Sequence, residues 1–377
     1  MPINEALFAA MKAASYIKPN AGKSYKLQRV AEELIAKQAP DNPKCRVEDA
    51  FAPMADGYAV PLRVFTPLVA YGAPLPEALE ESSANGTPVA SAISAILPAV
   101  LPKVLPKILI KESTSSGNAD GISGNANTEL PSVTPRGTIL FFHGGGWVTE
   151  SVENYQRVCA RMAQSTGQIV ASVEYRLAPE YRFPVGLMDC YAAAKAFYTN
   201  RFLLNTDPDR ITIMGDSAGG NLAAAVCMMA RDRGEFYPKK QILIYPALNN
   251  CYTEESPFES VKTNGTGYLL TAEKMEDYLK LYESCPEDRK NPYFAPILEK
   301  DLRNMPDTLI LTAEFDPLRD EGEAFGERLK AAGNRVEVHR IAGAFHGYFV
   351  LGIKFLHVQE SFTYVNRFLE TEEQEQL

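Results

Sequence analysis

Tryptophan and histidine are scarce in this chain of 377 residues, which contains one tryptophan and four histidines. The six cysteines are widely spaced, and none forms a CxxC pair or lies near a histidine at metal-ligand spacing. This spacing does not predict a zinc site. We therefore expect no bound metal, and we expect buried thiols in a reducing compartment.

The sequence also shows no excess of basic residues, no membrane-length apolar run and, at its N-terminus, no pattern typical of a secretory signal. Lys and Arg number 38 against 47 Asp and Glu, for a net charge of −9. A nucleic-acid partner is not expected, because phosphate neutralisation needs clustered basic side chains. No segment reaches the roughly 18 consecutive apolar residues of a membrane span, and the N-terminus has no basic start before a long apolar stretch. We expect a cytoplasmic protein without a membrane span.

The N-terminal third predicts helices, one strand and an insertion. Apolar residues at helical spacing predict two helices between residues 3 and 38, and YAVPLRVFTP at 58–67 alternates like a strand. Residues 68–136 are rich in Ala, Ser, Gly, Asn and Pro and show no sustained period, which indicates an insertion. Within it, the apolar residues 91–110 predict either a flap that packs on the protein itself or a contact with lipid or a partner.

The rest of the chain alternates strand and helix signals. Near-continuous apolar runs occur at 137–143, 168–175, 210–215, 241–246, 307–314 and 335–341, with helical stretches such as 154–165 and 186–200 between them. This pattern predicts an α/β fold with a mostly parallel sheet covered by helices on both faces. Such sheets carry their chemistry at the carboxyl ends of the strands.

The segment GDSAGG at 215–220 follows one of these runs and precedes an Ala-rich helix. A G-x-S-x-G turn between strand and helix holds its serine at the tip of a strained bend. Ser217 is therefore the predicted nucleophile. It would also stand at a helix N-terminus, which favours developing negative charge.

A serine nucleophile needs a base and an acid. His143 belongs to a glycine run, His339 to a predicted strand and His357 to a predicted helix, which leaves His346 in the segment after the last strand. Asp316 lies two residues after the run at 307–314 and is the predicted acid. The alternative is that it simply caps the following helix, and both roles could hold. Glu314 and Asp320 are the alternatives to it. The order Ser217, Asp316, His346 is typical of α/β-hydrolases.

The run FFHGGGWV at 141–148 places three glycines directly after a strand signal. Backbone N–H groups stabilise the oxyanion of acyl transfer best when no side chain stands in the way. We predict that the amides of Gly145, Gly146 and Ala218 form this oxyanion hole. His143 and Trp147 are predicted to support the loop, together with the motif residues Gly144 and Asp216.

These segments resemble the hormone-sensitive-lipase-like esterases of the α/β-hydrolase superfamily. The similar motifs are HGGGW at 143–147, YRLAPE at 175–180, GDSAGGNLA at 215–223, DPLRDEG at 316–322 and HG at 346–347. The resemblance implies an α/β-hydrolase fold with a helical cap and a carboxylic-ester hydrolase of broad specificity, without cofactor, that acts through an acyl-enzyme. We expect short to medium acyl esters as its substrates.

The resemblance also implies a domain organisation. Residues 1–50 would be N-terminal cap helices and 51–377 the catalytic domain, with a second cap segment at about 250–295. The insertion at about 68–136 departs from the family, whose members usually have a short connection there. Aromatic residues of that cap segment would line an acyl pocket or simply form core: Tyr252, Phe258, Tyr268, Tyr278 and Tyr282.

Other functions on the same superfamily remain open from the sequence. A carbohydrate acetyl esterase would share the triad and differ only in the lining of its pocket. A receptor for a small ligand would resemble the members that lack the catalytic histidine, whereas this chain keeps His346. A prolyl-oligopeptidase-like enzyme is disfavoured, because no repeat of propeller size is visible. A homo-oligomer is possible in each case.

Overall fold

A computed structural model describes residues 25–26, 28–30, 32–33, 45–68, 136–199, 207–351 and 355–370. Most of the predicted N-terminal helices and nearly all of the predicted insertion, including residues 91–110, lie outside these ranges. Residues 25–26, 28–30 and 32–33 are helical, as predicted. In the part of the chain that the structure covers, no helix combines the length and apolar character needed to cross a membrane.

The described residues build one eight-stranded sheet. Its strands are β1 (Cys45–Pro53), β2 (Ala59–Pro67), β3 (Thr138–Phe142), β4 (Ile169–Val173), β5 (Ile211–Asp216), β6 (Lys240–Ile244), β7 (Asp307–Phe315) and β8 (Val336–Phe345). The spatial order is β1-β2-β4-β3-β5-β6-β7-β8. β1 pairs antiparallel with β2 and β2 with β4, whereas all later pairs are parallel. The predicted mostly parallel sheet is confirmed.

Beyond the helical residues between 25 and 33, seven α-helices accompany the sheet in the described ranges. They are α1 (Gln156–Thr166), α2 (Val185–Tyr198), α3 (Ala218–Arg233), α4 (Glu259–Thr263), α5 (Ala272–Tyr282), α6 (Arg319–Ala331) and α7 (Leu356–Glu370). Residues of α2, α3, α5 and α6 join the core on one face of the sheet. Residues of α1 and α7 join the core on the other. The central strands are buried on both faces because helices cover both, which explains their continuous apolar sequences.

The first strand corrects the expected N-terminal boundary. Residues 45–50 were expected to belong to the cap helices, but they begin β1, which pairs from Cys45 to Pro53 with Pro67 to Ala59. β1 lies at the edge of the sheet and most of its side chains are exposed. An edge strand is held by backbone hydrogen bonds on one side and tolerates charged residues, so CRVEDAFAP carries little apolar periodicity. Residues 45–50 are therefore strand and not cap helix.

The second predicted cap segment, 250–295, contains α4 and α5. α5 begins after Thr271, whose side chain accepts a hydrogen bond from the N–H of Lys274, as an N-cap should. Its buried face carries Met275, Tyr278, Leu279 and Tyr282. This face packs into the same core as Trp147 of the glycine run, so α5 lies against the loop after β3.

Candidate active site

Ser217 occupies the turn between β5 and α3. Its φ of 55° and ψ of −118° are strained for a residue with a side chain. The turn is held by backbone hydrogen bonds, because the N–H of Ser217 donates to the carbonyl of Ile244 (2.9 Å) and its own carbonyl accepts from Ala247 (3.1 Å). The hydroxyl is thereby fixed at the carboxyl end of the sheet.

Glycines next to Ser217 allow the strand and the helix to approach closely. A Cβ atom on Gly215 would lie 2.2 Å from the carbonyl oxygen of Gly219, and one on Gly219 would lie 1.9 Å from the carbonyl oxygen of Phe142. No real Cβ atom tolerates such contacts. The two glycines are therefore required by the packing of α3 against the ends of β5 and β3.

The structure brings Ser217, His346 and Asp316 into one hydrogen-bonded chain. Oγ of Ser217 lies 2.8 Å from Nε2 of His346, and Nδ1 of His346 lies 2.7 Å from Oδ2 of Asp316. The Asp316 side chain is fully buried and that of His346 is 11% exposed. A buried carboxylate at Nδ1 keeps the proton on that nitrogen and leaves Nε2 free to accept a proton from the serine.

The other candidate acids and bases lie elsewhere. Glu314 accepts a hydrogen bond from the N–H of Gly343, and Asp320 accepts one from the N–H of Ser260. His339 stacks on Tyr364 with ring centroids 3.9 Å apart, and His357 lies in α7.

Gly145 and Gly146 lie in the loop after β3 and have φ values of 104° and 60°. Only glycine adopts such conformations readily. No hydrogen bond among the described residues uses the N–H group of either glycine. Ala218 is the first residue of α3, where backbone N–H groups have no partner within the helix. The loop and the helix thus supply three amides that are available to an oxyanion.

Asp216 and His143 hold the loop after β3 in place. Asp216 is buried, and its carboxylate accepts hydrogen bonds from the N–H of Gly144 (2.8 Å) and the hydroxyl groups of Tyr155 (3.0 Å) and Tyr245 (3.3 Å). Burial raises the pKa of Asp216 to about 6, and the hydrogen bond from Tyr155 is the largest opposing influence. Asp216 therefore fixes the start of the glycine run.

His143 is fully buried, and burial lowers its pKa to about 4, so the ring is neutral at pH 7. Its Nδ1 lies 2.8 Å from the carbonyl oxygen of Gly144, which places the proton on Nδ1 as donor. The ring stacks on Tyr175, whose hydroxyl donates to the carbonyl of His143 (2.8 Å). A neutral, packed ring has a structural role in this loop.

The sequence did not predict several residues that hold the site in place. Tyr155 and Tyr245 bind Asp216, and Tyr175 holds His143, but a tyrosine outside a motif carries no such signal. Glu321 is another: it is fully buried and its Oε1 accepts from the N–H groups of Leu248 and Asn249 and from the hydroxyl of Tyr252. The cluster DPLRDEG contains Glu321, so proximity to the predicted acid was the available clue.

The described residues contain no group of three or more His, Cys, Asp or Glu side chains arranged to hold a metal ion. The cysteines at 45, 159, 190 and 227 are buried and unpaired. Burial raises the pKa of the Cys159 thiol to about 12, which makes it a poor nucleophile.

Comparison with known proteins agrees with this geometry. Residues 139–350 match a family described as alpha/beta hydrolase fold. An arylesterase of Saccharolobus solfataricus is 37% identical over 216 residues, which cover 57% of this chain and 69% of that protein. An ethyl acetate hydrolase of Pseudomonas putida is 35% identical over 215 residues, 57% of this chain and 66% of its own length.

Solved structures show the same architecture over more of the chain. A hyperthermophilic esterase from Pyrobaculum calidifontis superposes with a TM-score of 0.74 at 32% identity, covering 99% of both chains. The thermostable carboxylesterase EstE1, cloned from a metagenomic library, gives a TM-score of 0.68 at 28% identity, covering 94% of this chain and 97% of its own.

Proposed function

The chain belongs to the hormone-sensitive-lipase-like esterases of the α/β-hydrolase superfamily, and from that premise we propose that it hydrolyses carboxylic esters through an acyl-enzyme on Ser217. The observation that carries the proposal is the hydrogen-bonded chain from Oγ of Ser217 through His346 to Asp316. The esterase names of its relatives support the same chemistry.

The first half-reaction begins when Ser217 Oγ attacks the ester carbonyl and its proton passes to Nε2 of His346. Negative charge develops on the carbonyl oxygen, which the amides of Gly145, Gly146 and Ala218 stabilise by hydrogen bonds. The imidazolium of His346, held by Asp316, then protonates the leaving alcohol as its bond to the acyl carbon breaks.

Water completes the cycle by the same route. Nε2 of His346 accepts a proton from water as the water oxygen attacks the acyl carbon, and the imidazolium returns the proton to Ser217 Oγ as the acyl bond breaks. The products are the carboxylic acid and the free enzyme. We propose short to medium acyl esters as substrates and no cofactor.

The test is hydrolysis of p-nitrophenyl esters from acetate upward by the wild type and by Ser217→Ala, with acetylated sugars in the same assay. Removing the nucleophile should lower kcat by at least about 10⁴-fold, because every covalent step passes through Oγ. A variant that keeps most of its rate would remove Ser217 from this role.

The same assay separates the alternatives. A preference for acetylated sugars over simple esters would favour a carbohydrate acetyl esterase. A wild type that hydrolyses no ester but binds small ligands would favour a receptor. A cytoplasmic location, a homo-oligomeric state and an interfacial contact by residues 91–110 remain predictions, which cell fractionation, light scattering and liposome flotation would test.

A further inference from the structure

The loop that carries the proposed oxyanion amides has an unusual backbone. Gly145, Gly146 and Trp147 have consecutive positive φ values of 104°, 60° and 60°. Glycine adopts this region easily, but a tryptophan does so only when its surroundings hold it there. Trp147 is 2% exposed, so its ring is packed on nearly every side, and its contacts help to hold the loop together with the hydrogen bonds from the N–H groups of Val148 and Thr149 to the carbonyl of Gly145.

The cap helix α5 supplies the main ring contact. The ring of Tyr282, at the end of α5, stacks on Trp147 with centroids 4.5 Å apart and planes 3° from parallel. Tyr282 also stacks with Phe294 at 5.1 Å, and Phe183 meets Tyr282 edge-on at 5.6 Å. Such aromatic pairs stabilise a structure by more free energy than the burial of their apolar area alone provides. Tyr282 therefore holds Trp147 from the cap side.

Tyr278 lies one helical turn earlier and contacts the neighbouring loop residue. A Cβ atom built on Gly146 would lie 2.6 Å from the Cγ and Cδ2 atoms of the Tyr278 ring. The ring therefore lies directly against the backbone of Gly146. Because residues four apart share a helix face, the two tyrosines contact adjacent residues of the loop.

Backbone hydrogen bonds tie both partners to the same segment. The N–H of Phe183 donates to the carbonyl of Tyr282 (2.8 Å), and the N–H of Ala178 donates to the carbonyl of Trp147 (2.9 Å). The hydroxyl of Ser284 also donates to the carbonyl of Phe183 (2.6 Å). The end of α5 and the loop are thus linked through residues 178–183 as well as through the rings.

We propose that Tyr278 and Tyr282 are positioning residues of the proposed ester hydrolysis, which place the amides of Gly145 and Gly146 for the oxyanion. The inference rests on the proposed function and deepens it, since it gives the cap a role in the chemical step. Oxyanion contacts strengthen in the transition state, so a displaced loop lowers kcat more than it changes KM.

The test variant is Tyr282→Leu, which removes the stack on Trp147 and keeps an apolar side chain. We expect kcat for p-nitrophenyl acetate to fall by about 10- to 100-fold, the effect of misplacing a catalytic group by about 1 Å, with KM changed less than threefold. Tyr282→Phe is the conservative variant: the buried hydroxyl of Tyr282 has no hydrogen-bond partner among the described residues, so keeping the ring alone should restore kcat.

Phe236→Leu is the matched control for loss of a buried aromatic stack. Phe236 is 5% exposed and stacks on Tyr198 at 5.0 Å. It follows the far end of α3, a helix of 16 residues whose other end adjoins Ser217, roughly 24 Å away along the helix axis. The control should lower the melting temperature and leave kcat at the wild-type value.

A second readout separates positioning from general damage. A trifluoromethyl ketone forms a tetrahedral adduct with a serine nucleophile and carries the oxyanion, so Tyr282→Leu should weaken its inhibition in proportion to the loss in kcat/KM. If Tyr282→Leu does not fold, Tyr278→Leu decides by the same measurements. Wild-type kcat in a folded leucine variant would overturn the positioning role, whereas an inactive wild type would refute the proposed function itself.

Discussion

At the residue scale, Asp316 uses both of its carboxylate oxygens. Oδ2 binds Nδ1 of His346 (2.7 Å), and Oδ1 accepts from the N–H of Leu318 (2.9 Å). The alternative from the sequence, that Asp316 caps the next helix, does not hold in the structure: α6 begins after Leu318, whose side chain makes no capping hydrogen bond, and Asp316 contacts the N–H of Leu318 before the helix begins. The backbone contact orients the carboxylate, and the orientation aims its second oxygen at the imidazole.

Asp316→Asn should lower kcat by about 10⁴-fold, because an amide that turns its nitrogen toward His346 favours the wrong tautomer of the ring. The measurement is kcat for p-nitrophenyl acetate, with a melting curve to establish that the variant folds. Asp320→Asn is the matched control: Asp320 lies four residues further on and binds Ser260 and Arg319 instead of the histidine. If Asp316→Asn lowers kcat only slightly and Asp320→Asn lowers it strongly, Asp320 and not Asp316 is the acid of the triad.

Glu321 predicts a pH dependence of stability. Burial, assisted by the charge of Asp316, raises its pKa to about 8 against the hydrogen bonds from Leu248, Tyr252 and Asn249. Between pH 4.5 and 8 the folded state then binds more protons at this site than the unfolded state does. Its contribution to the free energy of unfolding consequently falls as pH rises through this window, by up to about 1.4 kcal/mol per pH unit.

Glu321→Gln should remove this contribution, because the amide oxygen still accepts from the three donors and no charge develops. Urea unfolding at pH 5, 7 and 9 should show the variant gaining stability relative to wild type as pH rises. Glu327→Gln on the same helix is the control, since Glu327 is 70% exposed, and its pH profile should follow wild type. A constant difference between wild type and Glu321→Gln would contradict the prediction.

At the scale of elements, the site depends on how closely α3 approaches the end of β3. Gly219→Ala would place a methyl group 1.9 Å from the carbonyl oxygen of Phe142. Because that contact is with backbone, α3 must move away from the sheet and take the turn of Ser217 with it. We expect a loss of about 2 kcal/mol or more in the free energy of unfolding and a large loss of kcat.

Gly322→Ala in α6 is the comparison for Gly219→Ala. A Cβ at position 322 would lie 3.0 Å from the Cγ2 methyl group of Thr312, which is a side-chain atom and not backbone. This variant should fold and keep its activity. Equal stability of the two alanine variants, measured by urea unfolding, would contradict the close approach of α3 to the end of β3.

The elements also show what a sequence can and cannot predict. Strands β3 to β7 were predicted within one or two residues because both of their faces are apolar. The edge strand β8 was predicted except for its later end, although its first half is only half-buried. The sequence did not predict β1, because an exposed edge strand needs no apolar pattern. The sequence could predict the three triad residues because each follows a strand signal: Ser217, Asp316 and His346. The contacts of Tyr155, Tyr245 and Glu321 join segments distant in sequence, and no local pattern encodes them.

At the scale of the whole molecule, the sheet topology permits a much shorter chain between β2 and β3. Phe65 and Ile139 both pair with Val170, from opposite sides, so they lie about 10 Å apart at a strand spacing of about 4.8 Å. β2 runs antiparallel to β4 and β3 runs parallel to it, so Pro67 and Thr138 lie at the same end of the sheet. A few extended residues, at about 3.3 Å each, span this distance.

Deletion of residues 70–134 should therefore leave a folded protein with the wild-type kcat/KM on p-nitrophenyl acetate. Residues 68, 69 and 135–137 would remain as the connection. Circular dichroism melting and the ester series are the measurements, together with the molecular mass in solution. A soluble but inactive deletion variant would mean that the insertion contributes to the site, and a change in mass would assign it to an oligomer contact.

The central claim is that Ser217 carries the acyl group during turnover, and intact-protein mass spectrometry tests it most directly. Wild type and Ser217→Ala are mixed rapidly with p-nitrophenyl acetate, and the reactions are quenched in acid. The mass of each intact protein is then measured, and the modified peptide is sequenced. The account predicts one acetyl group per wild-type chain, attached at Ser217, and none on the alanine variant. An acetyl group at another residue, or equal labelling of both proteins, would contradict it.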